Sequence, residues 1–331
     1  MNLVTGGTGL LGSHIVEKLR AEGEDVRVLV RPSSDTRFVD SLGVQKALGD
    51  ITDPDSLTRA MEGVKTVYHA AAKVGDWGPW SEFVALSIEG TQHTIEAAAR
   101  AGVERFLHIS SISAYGHPDG EGLVLDETAP LGQHLYRWSY YSRAKVEAEK
   151  IVWAAQERGD VPVTVIRPSW LYGERDRASM PRLIRAIAAG KGKIIGDGQN
   201  RLNLTYAGNE ADGCILAARS EKAVGEAYNL CNDGYITLEE YFNKIAAQIG
   251  ADPVTRKVPY KVVRSAAFLM EVFGHAIRKK TPPLVTRYSV WLMGRRCFFS
   301  TRKIESELGW RPAVGYDEGV ARAVDWALKN A

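Results

Sequence analysis

The sequence contains little that would mark a membrane, secreted or nucleic-acid-binding protein. Only three of its 331 residues are cysteines, and these share no spacing typical of a metal site. No apolar run approaches the ~20 residues needed to cross a bilayer, and an apolar strand follows Met1 too closely to leave room for a signal peptide. The 42 basic and 40 acidic residues leave a net charge of +2, which gives no support to a nucleic-acid partner. We therefore expect a cytoplasmic globular protein with free thiols and no bound metal.

A glycine-rich turn near the N-terminus is the first informative pattern. Gly6, Gly9 and Gly12 follow the apolar run 3–4 and lead into a helical pattern. Glycines at this spacing permit a tight turn, a close approach of the backbone to a ligand, and close packing of a helix against a strand. The N-terminus of the helix then faces an anion. The stretch predicts a pyrophosphate site, although glycine turns of this kind also serve packing alone.

Strand and helix patterns alternate from residue 1 to about residue 170, which predicts an α/β protein with a Rossmann-type, doubly wound parallel sheet. Strands are expected at 2–5, 25–30, 44–48, 65–69, 104–110 and 162–167, and helices at 10–22, 54–62, 81–101 and 140–157. Right-handed crossovers bring the carboxyl ends of such strands to one edge of the sheet. A ligand is expected at that edge.

Beyond residue 170 the order of elements loosens. Helices are expected at 180–189, 208–219, 237–249, 260–276 and 316–329. We expect a dinucleotide-binding domain over 1–170, to which the chain returns at about 205–230. The segments 171–204 and 231–331 would then form a smaller C-terminal part that binds the substrate.

Tyr141 and Lys145 form the second informative pattern. They stand four residues apart at the start of a predicted helix and therefore share a face. A phenol titrates near ~10 in water, and a nearby ammonium, together with a second cation such as nicotinamide, lowers this pKa. The pair could then exchange a proton with a hydroxyl or carbonyl group. In isolation the same spacing more often describes a surface tyrosine beside a solvated lysine.

Three motifs occur in sequence: the glycine turn, the serines Ser110, Ser111 and Ser113 after a predicted strand, and the Tyr-x-x-x-Lys pair. Their order resembles that of the extended short-chain dehydrogenase/reductase family, part of the NAD-dependent epimerase/dehydratase superfamily. Further matching segments are Gly49-Asp50-Ile51-Thr52-Asp53, His69-Ala70-Ala71-Ala72, Glu89-Gly90-Thr91, Arg167-Pro168-Ser169 and Tyr172-Gly173. The resemblance covers most of the chain and implies a Rossmann fold that binds NAD or NADP.

This resemblance implies a role for each matching residue. Tyr141 would be the general acid/base, Lys145 would hold the nicotinamide ribose and acidify Tyr141, and Ser111 would hydrogen-bond the reacting oxygen, with Ser110 and Ser113 as alternatives. The implied cofactor-binding residues are Gly6, Gly9, Leu10, Leu11, Gly12, Arg31, Asp50, Ile51, Ala70, Ala71, Ala72, Tyr141, Lys145, Pro168 and Ser169.

The residues after the second strand favour NADP over NAD. An acidic residue at this position would accept a hydrogen bond from the ribose 2′-hydroxyl of NAD and repel a 2′-phosphate. The sequence instead has Arg31, followed by Ser33 and Ser34, and these could pair with the phosphate. The alternative is that Arg31 is an ordinary solvated charge at a strand end.

Two departures from the nucleotide-sugar enzymes of the family favour an apolar substrate. Trp170 stands where those enzymes carry a polar residue, and Leu202 where they carry an arginine, although Arg201 is adjacent. The chain is more similar to the branch of 3β-hydroxysteroid dehydrogenases and 3-oxoacid reductases, notably over 71–80. Substrate contacts are expected from Lys73, Trp77, Ser111 and Trp170. Tryptophans of the 71–80 loop could instead anchor that loop.

The segment 258–299 combines apolar and basic residues. Its apolar helical stripe consists of Val262, Val263, Ala266, Ala267, Met270 and Phe273. Three basic residues follow at 278–280. Such a segment could cover a lipid pocket or lie on an anionic membrane surface. Because a stripe at this spacing is usually core, we expect it to be buried.

The sequence therefore predicts an NADP(H)-dependent oxidoreductase that interconverts a secondary alcohol and a ketone on a steroid-like or long-chain 3-oxoacyl substrate. A nucleotide-sugar epimerase or dehydratase is the first alternative. A non-catalytic dinucleotide-binding regulator is the second, and Tyr141, Lys145 and Ser111 argue against it. The resemblance also implies a homodimer formed through the helices 81–101 and 140–157.

Overall fold

The computed structural model describes residues 1–330 and shows alternating strands and helices. The strands are β1 (Asn2–Thr5), β2 (Val26–Val30), β3 (Gln45–Leu48), β4 (Thr66–His69), β5 (Arg105–Ile109), β6 (Val124–Leu125), β7 (Val163–Pro168), β8 (Trp170–Tyr172), β9 (Ile194–Ile195), β10 (Leu204–Tyr206), β11 (Ala227–Leu230), β12 (Lys257–Val258) and β13 (Phe298–Phe299). The α-helices are α1 (Leu10–Ala21), α2 (Arg37–Ser41), α3 (Pro54–Ala60), α4 (Trp80–Phe83), α5 (Gly90–Arg100), α6 (Tyr140–Glu157), α7 (Ser179–Ala188), α8 (Ala207–Arg219), α9 (Leu238–Gln248), α10 (Tyr260–Ala276), α11 (Arg287–Gly294), α12 (Arg302–Leu308) and α13 (Tyr316–Lys329).

A seven-stranded sheet forms the centre of the molecule. Its strand order is β11-β7-β5-β4-β1-β2-β3, and every neighbouring pair is parallel. The strand order reverses at β1, which pairs with β2 on one side and β4 on the other. This arrangement confirms the predicted doubly wound, Rossmann-type sheet.

Apolar side chains cover both faces of this sheet. Leu3 and Val4 are fully buried and belong to different apolar clusters, because successive side chains of a strand point to opposite faces. One cluster joins the sheet to α1 and α8, and the other joins it to α3, α5 and α6. Strands buried on both faces read as short continuous apolar runs, which is why the sequence identifies them.

Local signals set most helix boundaries, with one exception. The Asp53 side chain accepts hydrogen bonds from the backbone N–H groups of Asp55 and Ser56 at the start of α3, where Pro54 occupies the first turn. The helix predicted at 81–101 is not continuous, because a π-helical segment, Val84–Glu89, separates α4 from α5. Nothing in the local sequence pattern predicts this wider turn.

The C-terminal elements surround an apolar cluster of their own. Side chains from α7, α9, α13, β8 and β10 meet in this cluster, and β10 pairs with β8 in parallel. The five helices predicted beyond residue 170 are present within one or two residues of the expected bounds, whereas the short helices α11 and α12 were not predicted. The strands beyond residue 170 were not predicted either, because two to four residues give little measurable alternation. The assignment of this part of the chain to substrate binding stays a prediction.

Part of the apolar stripe on α10 is exposed, contrary to our expectation. Val262 and Phe273 are 59% and 66% exposed, whereas Ala267 is fully buried. The stripe is therefore split between an inner face of small side chains and an outer face of large ones. The prediction that it forms core is wrong for its large residues.

The remaining compositional expectations concern cysteines, metals and membranes. All three cysteines are buried and free, as predicted. Within residues 1–330, no group of three or more histidine, cysteine, aspartate or glutamate side chains is arranged to hold a metal ion. None of the helices in that range is both long and apolar enough to cross a membrane.

A buried ion pair fixes α6 against the sheet. Glu149 of α6 and Arg167 of β7 are 0% and 4% exposed, and the guanidinium contacts both carboxylate oxygens, with an Nη2 to Oε2 distance of 2.8 Å. Arg167 also donates to the Tyr115 hydroxyl at 2.7 Å, and Ser110 donates to Glu149. Because unpaired buried charges are costly, this network determines where α6 lies.

We expect the substitution Glu149→Leu to destabilise the fold by about 3–5 kcal/mol, because it leaves the Arg167 guanidinium buried without a counter-ion. Urea denaturation of the variant measures this loss. The double variant Glu149→Leu, Arg167→Met removes both charges and should recover most of the stability. A single variant within about 1 kcal/mol of the wild type would contradict the account, since it would show that the pair contributes no more than a surface contact.

Candidate active site

The predicted site residues lie along one edge of the sheet. Each group follows the carboxyl end of a parallel strand, so the topology brings together residues that are far apart in sequence. The glycine turn follows β1, Arg31 follows β2, Asp50 and Ile51 follow β3, Ala70, Ala71 and Ala72 follow β4, Ser110 and Ser111 follow β5, and Pro168 and Ser169 lie at the end of β7.

The glycine turn is packed too closely for side chains. Gly6 has a φ of +71°, and a Cβ there would lie 2.8 Å from the backbone nitrogen of Ala71. A Cβ on Gly12 would lie 2.2 Å from the carbonyl oxygen of Gly6. Gly9 donates a backbone hydrogen bond to Gly6 at 2.9 Å. The three glycines therefore allow the backbone of the turn to meet both α1 and the segment after β4.

The N-terminus of α1 is suited to bind a pyrophosphate. Gly9 caps this 12-residue helix without a side chain, so no side-chain oxygen accepts from the first N–H groups. Behind the turn, Thr5 Oγ1 accepts from Ala71 N at 3.2 Å and lies 2.9 Å from His69 Nδ1. This contact holds the alanine segment against the turn. The residues present therefore fit a dinucleotide cofactor.

Two arginines border a cavity at the ends of β2 and β3. This cavity has a volume of about 600 Å³ and is lined by Arg31, Ser33, Asp50, Asp53 and Arg59, among others. Within residues 1–330, neither guanidinium forms an ion pair with a carboxylate. Arg31 could be identified from the sequence, whereas Arg59 could not, because the pattern of α3 gives no sign of the direction in which its side chains point. Two unpaired guanidinium groups could bind a phosphate.

Lys145 is held at the end of β5. Its ammonium group is buried and donates to the Ile109 carbonyl at 2.7 Å. The same nitrogen lies 6.0 Å from the centre of the Tyr141 ring. Burial lowers the pKa of Lys145 to about 8, and Glu149 partly opposes that change. The α6 helix thus brings Tyr141 and Lys145 to the strand end on one face, as their spacing predicted.

Three hydroxyl groups meet beside Tyr141. Ser111 accepts from the Ser113 backbone N–H at 3.1 Å and donates to the Ser113 hydroxyl at 3.1 Å. The Ser113 hydroxyl lies 2.9 Å from the Tyr288 hydroxyl, and the Tyr288 ring meets the Tyr141 ring edge to face at 6.0 Å. Ser110 is not free for the alternative role, because it is engaged with Glu149.

The pKa of Tyr141 is raised in the chain alone, and the lowering expected from Lys145 together with a bound nicotinamide stays a prediction. Burial raises it, because a phenolate is poorly solvated there, and a hydrogen bond with Ser111 partly offsets the effect. Lys145 is turned towards Ile109 and does not compensate. In the protein alone Tyr141 is therefore a neutral proton donor, and any lowering of its pKa depends on a second cation.

The loop 71–80 is fastened to α10. Trp77 Nε1 donates to the Lys279 carbonyl at 2.8 Å, and its ring lies 4.4 Å from that of His275. A Cβ on Gly274 would lie 2.8 Å from this indole. Lys73 pairs with Glu82 at 2.5 Å. Trp77 thus anchors the loop, and direct contacts of Lys73 and Trp77 with a substrate stay predictions.

Trp170 packs against the C-terminal apolar cluster, and Ser169 is held by a hydrogen bond to the backbone. The Trp170 ring packs edge to face on Tyr241 at 5.6 Å. Ser169 donates to the Cys231 carbonyl at 2.7 Å. Leu202 is 1% exposed in the same cluster. The roles of Trp170 in substrate binding and of Pro168 and Ser169 in cofactor binding stay predictions.

Two further features could not be predicted. Tyr288 lies 147 positions after Tyr141 in the chain, and no motif connects them. A cavity of about 1290 Å³ lies at the β11 edge between 126–128, 225–227 and 298–307, away from Tyr141 and the glycine turn. Cavity size would therefore point to a different place from the strand-end motifs, which meet at one edge of the sheet.

Three relatives match nearly the whole chain. A 4-hydroxy-2-methyl-3-oxo-4-farnesyl-3,4-dihydroquinoline-1-oxide ketoreductase of Stigmatella aurantiaca is 30% identical over 96% of this chain and 93% of its own. A 2-alkyl-3-oxoalkanoate reductase of Stenotrophomonas maltophilia is 29% identical over 97% of both chains. The decarboxylating sterol-4-alpha-carboxylate 3-dehydrogenase of Mus musculus is 30% identical over 97% of this chain and 89% of its own.

Solved structures share the fold over its full length. The crystal structure of gox2253 superposes with a TM-score of 0.82 at 30% identity and covers 100% of this chain and 98% of its own. DesIV, a dTDP-glucose 4,6-dehydratase from Streptomyces venezuelae with NAD and TYD bound, superposes with a TM-score of 0.78 at 25% identity. The superposition covers 99% of this chain and 97% of DesIV.

The comparisons confirm the predicted family, the fold and the prediction of an NAD(P)-dependent dehydrogenase or reductase. The sequence profile described as the NAD dependent epimerase/dehydratase family matches residues 2–231. This range contains the glycine turn, Ser111, Tyr141 and Lys145. The chain belongs to the NAD dependent epimerase/dehydratase family.

Proposed function

We propose that the chain is an NADP(H)-dependent oxidoreductase that interconverts a secondary alcohol and a ketone on an apolar substrate, with Tyr141 as the general acid/base. The observation that supports this most is the group of hydroxyls at the end of β5, where Ser111, Ser113 and Tyr288 surround the Tyr141 phenol beside the Lys145 ammonium. Such a group can hold and protonate an oxygen atom.

In the proposed reaction, a bound nicotinamide supplies or accepts the hydride. Tyr141 gives its phenolic proton to the carbonyl oxygen during reduction and takes a proton from the alcohol during oxidation. Ser111 donates to the same oxygen and keeps it within reach of the phenol. Lys145, fixed by Ile109 and buried, places a positive charge near the phenolate that reduction leaves behind.

The preference for NADP rests on charge at the β2 and β3 ends. Arg31 and Arg59 border one cavity, and neither is neutralised by an ion pair within the described range 1–330. A 2′-phosphate would accept hydrogen bonds from both guanidinium groups, which the 2′-hydroxyl of NAD cannot do with the same strength, although Asp50 and Asp53 line the same cavity. The end of β2 also lacks the carboxylate that would repel the phosphate.

The substrate class follows from the relatives and from the aromatic surroundings of Tyr141. The names of the relatives describe reductases of 3-oxoalkanoates and of a farnesylated quinoline oxide, and a sterol carboxylate dehydrogenase. Trp77, Tyr136, Trp138 and Tyr288 line a cavity of about 10 Å³ next to the site, which is room for one water molecule and not for a substrate. The aromatic side chains themselves favour contact with a ring system or an alkyl chain.

A nucleotide-sugar epimerase or dehydratase is the second candidate, and Arg295 is compatible with it. This side chain is 1% exposed, and its Nε and Nη2 groups have no hydrogen-bond partner within the described chain. A buried guanidinium without a counter-ion could bind a substrate phosphate. It could equally bind the carboxylate of a 3-oxoacid. The two functions differ in whether the cofactor is consumed.

Several expectations from the sequence remain proposals. They are a cofactor-binding unit over 1–170 with a return at about 205–230, a substrate-binding part formed by 171–204 and 231–331, a cytoplasmic location, the absence of a nucleic-acid partner, and a homodimer formed through α5 and α6.

The substitution Tyr141→Phe removes the proton donor and should lower kcat by about 100-fold or more, because positioned acid/base groups contribute 10²–10⁴-fold. The reduction of a 2-alkyl-3-oxoacid, followed by the loss of NADPH absorbance, measures this effect. Tyr140→Phe is the matched control, since Tyr140 packs on Trp80 and Phe83 and should retain full activity. Equal activity of the two variants would argue against the proposed role.

The substitution Arg31→Asp should weaken NADPH binding by about 10- to 100-fold and leave NADH binding nearly unchanged, because it removes one charged phosphate contact and adds a repulsive carboxylate. The substitution Arg59→Ala should likewise weaken NADPH binding more than NADH binding. Fluorescence titration with each cofactor measures both affinities, and Arg302→Asp, on a different part of the surface, serves as control. Equal losses for NADPH and NADH would refute the phosphate contact.

A further inference from the structure

The helix α10 has two faces of different character. Its inner face carries Ala267, Glu271 and Gly274, all of which are buried. Gly274 contacts Trp77, and Glu271 accepts a hydrogen bond from the Arg287 guanidinium at 2.7 Å. This side of the helix closes over the loop 71–80 and the small cavity beside Tyr141. The helix is therefore fixed in place by its contacts with the site.

The outer face of α10 is apolar and exposed over the length of the helix. Leu269 and Phe273 are both 66% exposed. Of the fourteen large apolar side chains exposed in residues 1–330, eight lie within 262–284, and these are Val262, Phe268, Leu269, Met270, Val272, Phe273, Ile277 and Leu284. A continuous apolar surface of this kind on a protein in water marks a contact with another apolar phase or molecule.

The charges around this face are mainly basic. Seven exposed basic residues lie in 255–286, at Arg256, Lys257, Lys261, Arg264, Arg278, Lys279 and Lys280, and of these Lys257 is paired with Glu239 at 2.8 Å. Glu271 is the one acidic residue of that segment, and it is buried in its pair with Arg287. Asp119 touches the start of the helix from outside, where it accepts from the Tyr260 hydroxyl at 3.0 Å.

We propose that the outer face of α10 lies on the surface of an anionic lipid bilayer. Leu269, Phe273 and their neighbours would enter the boundary between headgroups and acyl chains, and the flanking lysines and arginines would meet the anionic headgroups. A second copy of the chain is a poorer occupant, because two such faces brought together would oppose basic residues without acidic partners.

This placement has a consequence for the site. The helix that lies on the lipid surface also contributes Glu271 and His275 to the walls of the small cavity that Trp77 and Tyr288 line. An apolar molecule dissolved in the bilayer would thus meet the protein next to the cavity beside Tyr141. The lipid contact itself does not depend on the proposed reaction, since it can be measured without any turnover.

Sedimentation with vesicles tests the proposal. The full-length protein is mixed with sucrose-loaded vesicles of phosphatidylcholine containing about one third phosphatidylglycerol, or of phosphatidylcholine alone. We expect binding to the anionic vesicles, at least about tenfold weaker binding to the neutral ones, and a loss of binding to the anionic vesicles at high salt. No binding to either kind of vesicle would overturn the proposal.

Two pairs of variants separate the apolar from the charged contribution. The double substitution Leu269→Ser, Phe273→Ser should weaken binding to anionic vesicles by at least about tenfold, while Leu328→Ser, at an exposed apolar position on α13, should not. The double substitution Lys261→Ser, Lys280→Ser should likewise weaken binding to anionic vesicles. The control, the double substitution Lys191→Ser, Lys222→Ser, should not. Equal binding of test and control variants would refute the assignment to α10.

Two further measurements monitor the folding of the variants and the oligomeric state of the chain. Thermal unfolding and cofactor titration show whether each variant is folded, and we expect both to match the wild type because the substituted side chains are exposed. Analytical ultracentrifugation of the wild type and the Leu269→Ser, Phe273→Ser variant tests the competing occupant. A wild-type dimer that the variant dissociates would identify the face as a contact between copies of the chain and overturn the lipid proposal.

Discussion

The buried pair between Glu149 and Arg167 is the constraint on which the site depends. It joins α6 to β7, and through Ser110 and Tyr115 it also holds the end of β5. Since α6 also carries Tyr141 and Lys145 on the face turned towards that strand end, the pair ties the helix that holds the phenol to the sheet. A helix placed by apolar packing alone could slide along its axis, whereas charged hydrogen bonds specify one position.

Much of the fold could be predicted from the sequence. Strands buried on both faces give short apolar runs between glycine turns, and the long helices give regular apolar spacing, so the order of elements over 2–168 follows from local pattern except for the short α2 and β6, which were not predicted. The glycine turn, Arg31, Asp50, Ser111 and the Tyr141 pair were placed at strand ends for the same reason. The parallel topology brings these residues together at one edge of the sheet, so their proximity can be predicted without knowing any side-chain contact.

Other features depend on contacts between distant parts of the chain, which local patterns do not record. The hydroxyls of Tyr288 and Ser113 are in hydrogen-bond contact although the two residues are 175 positions apart in the chain. Arg59 lines the same cavity as Arg31 only because of how α3 packs. Burial raises the pKa of Tyr141 in the chain alone, an effect that the spacing of Tyr141 and Lys145 does not record. The stripe on α10 was expected in the core because its spacing is the same for a buried and an exposed apolar face.

The central claim is that the residues around Tyr141 support a net transfer of hydride to an apolar ketone. The most direct test is a single-turnover reaction of the wild-type protein with NADPH deuterated on the transferred position and a 2-alkyl-3-oxoacid, analysed by mass spectrometry. The account predicts one deuterium on the new carbinol carbon for each NADP formed. The account would be contradicted if the protein converted a nucleotide sugar without net oxidation of the cofactor and did not reduce the oxoacid.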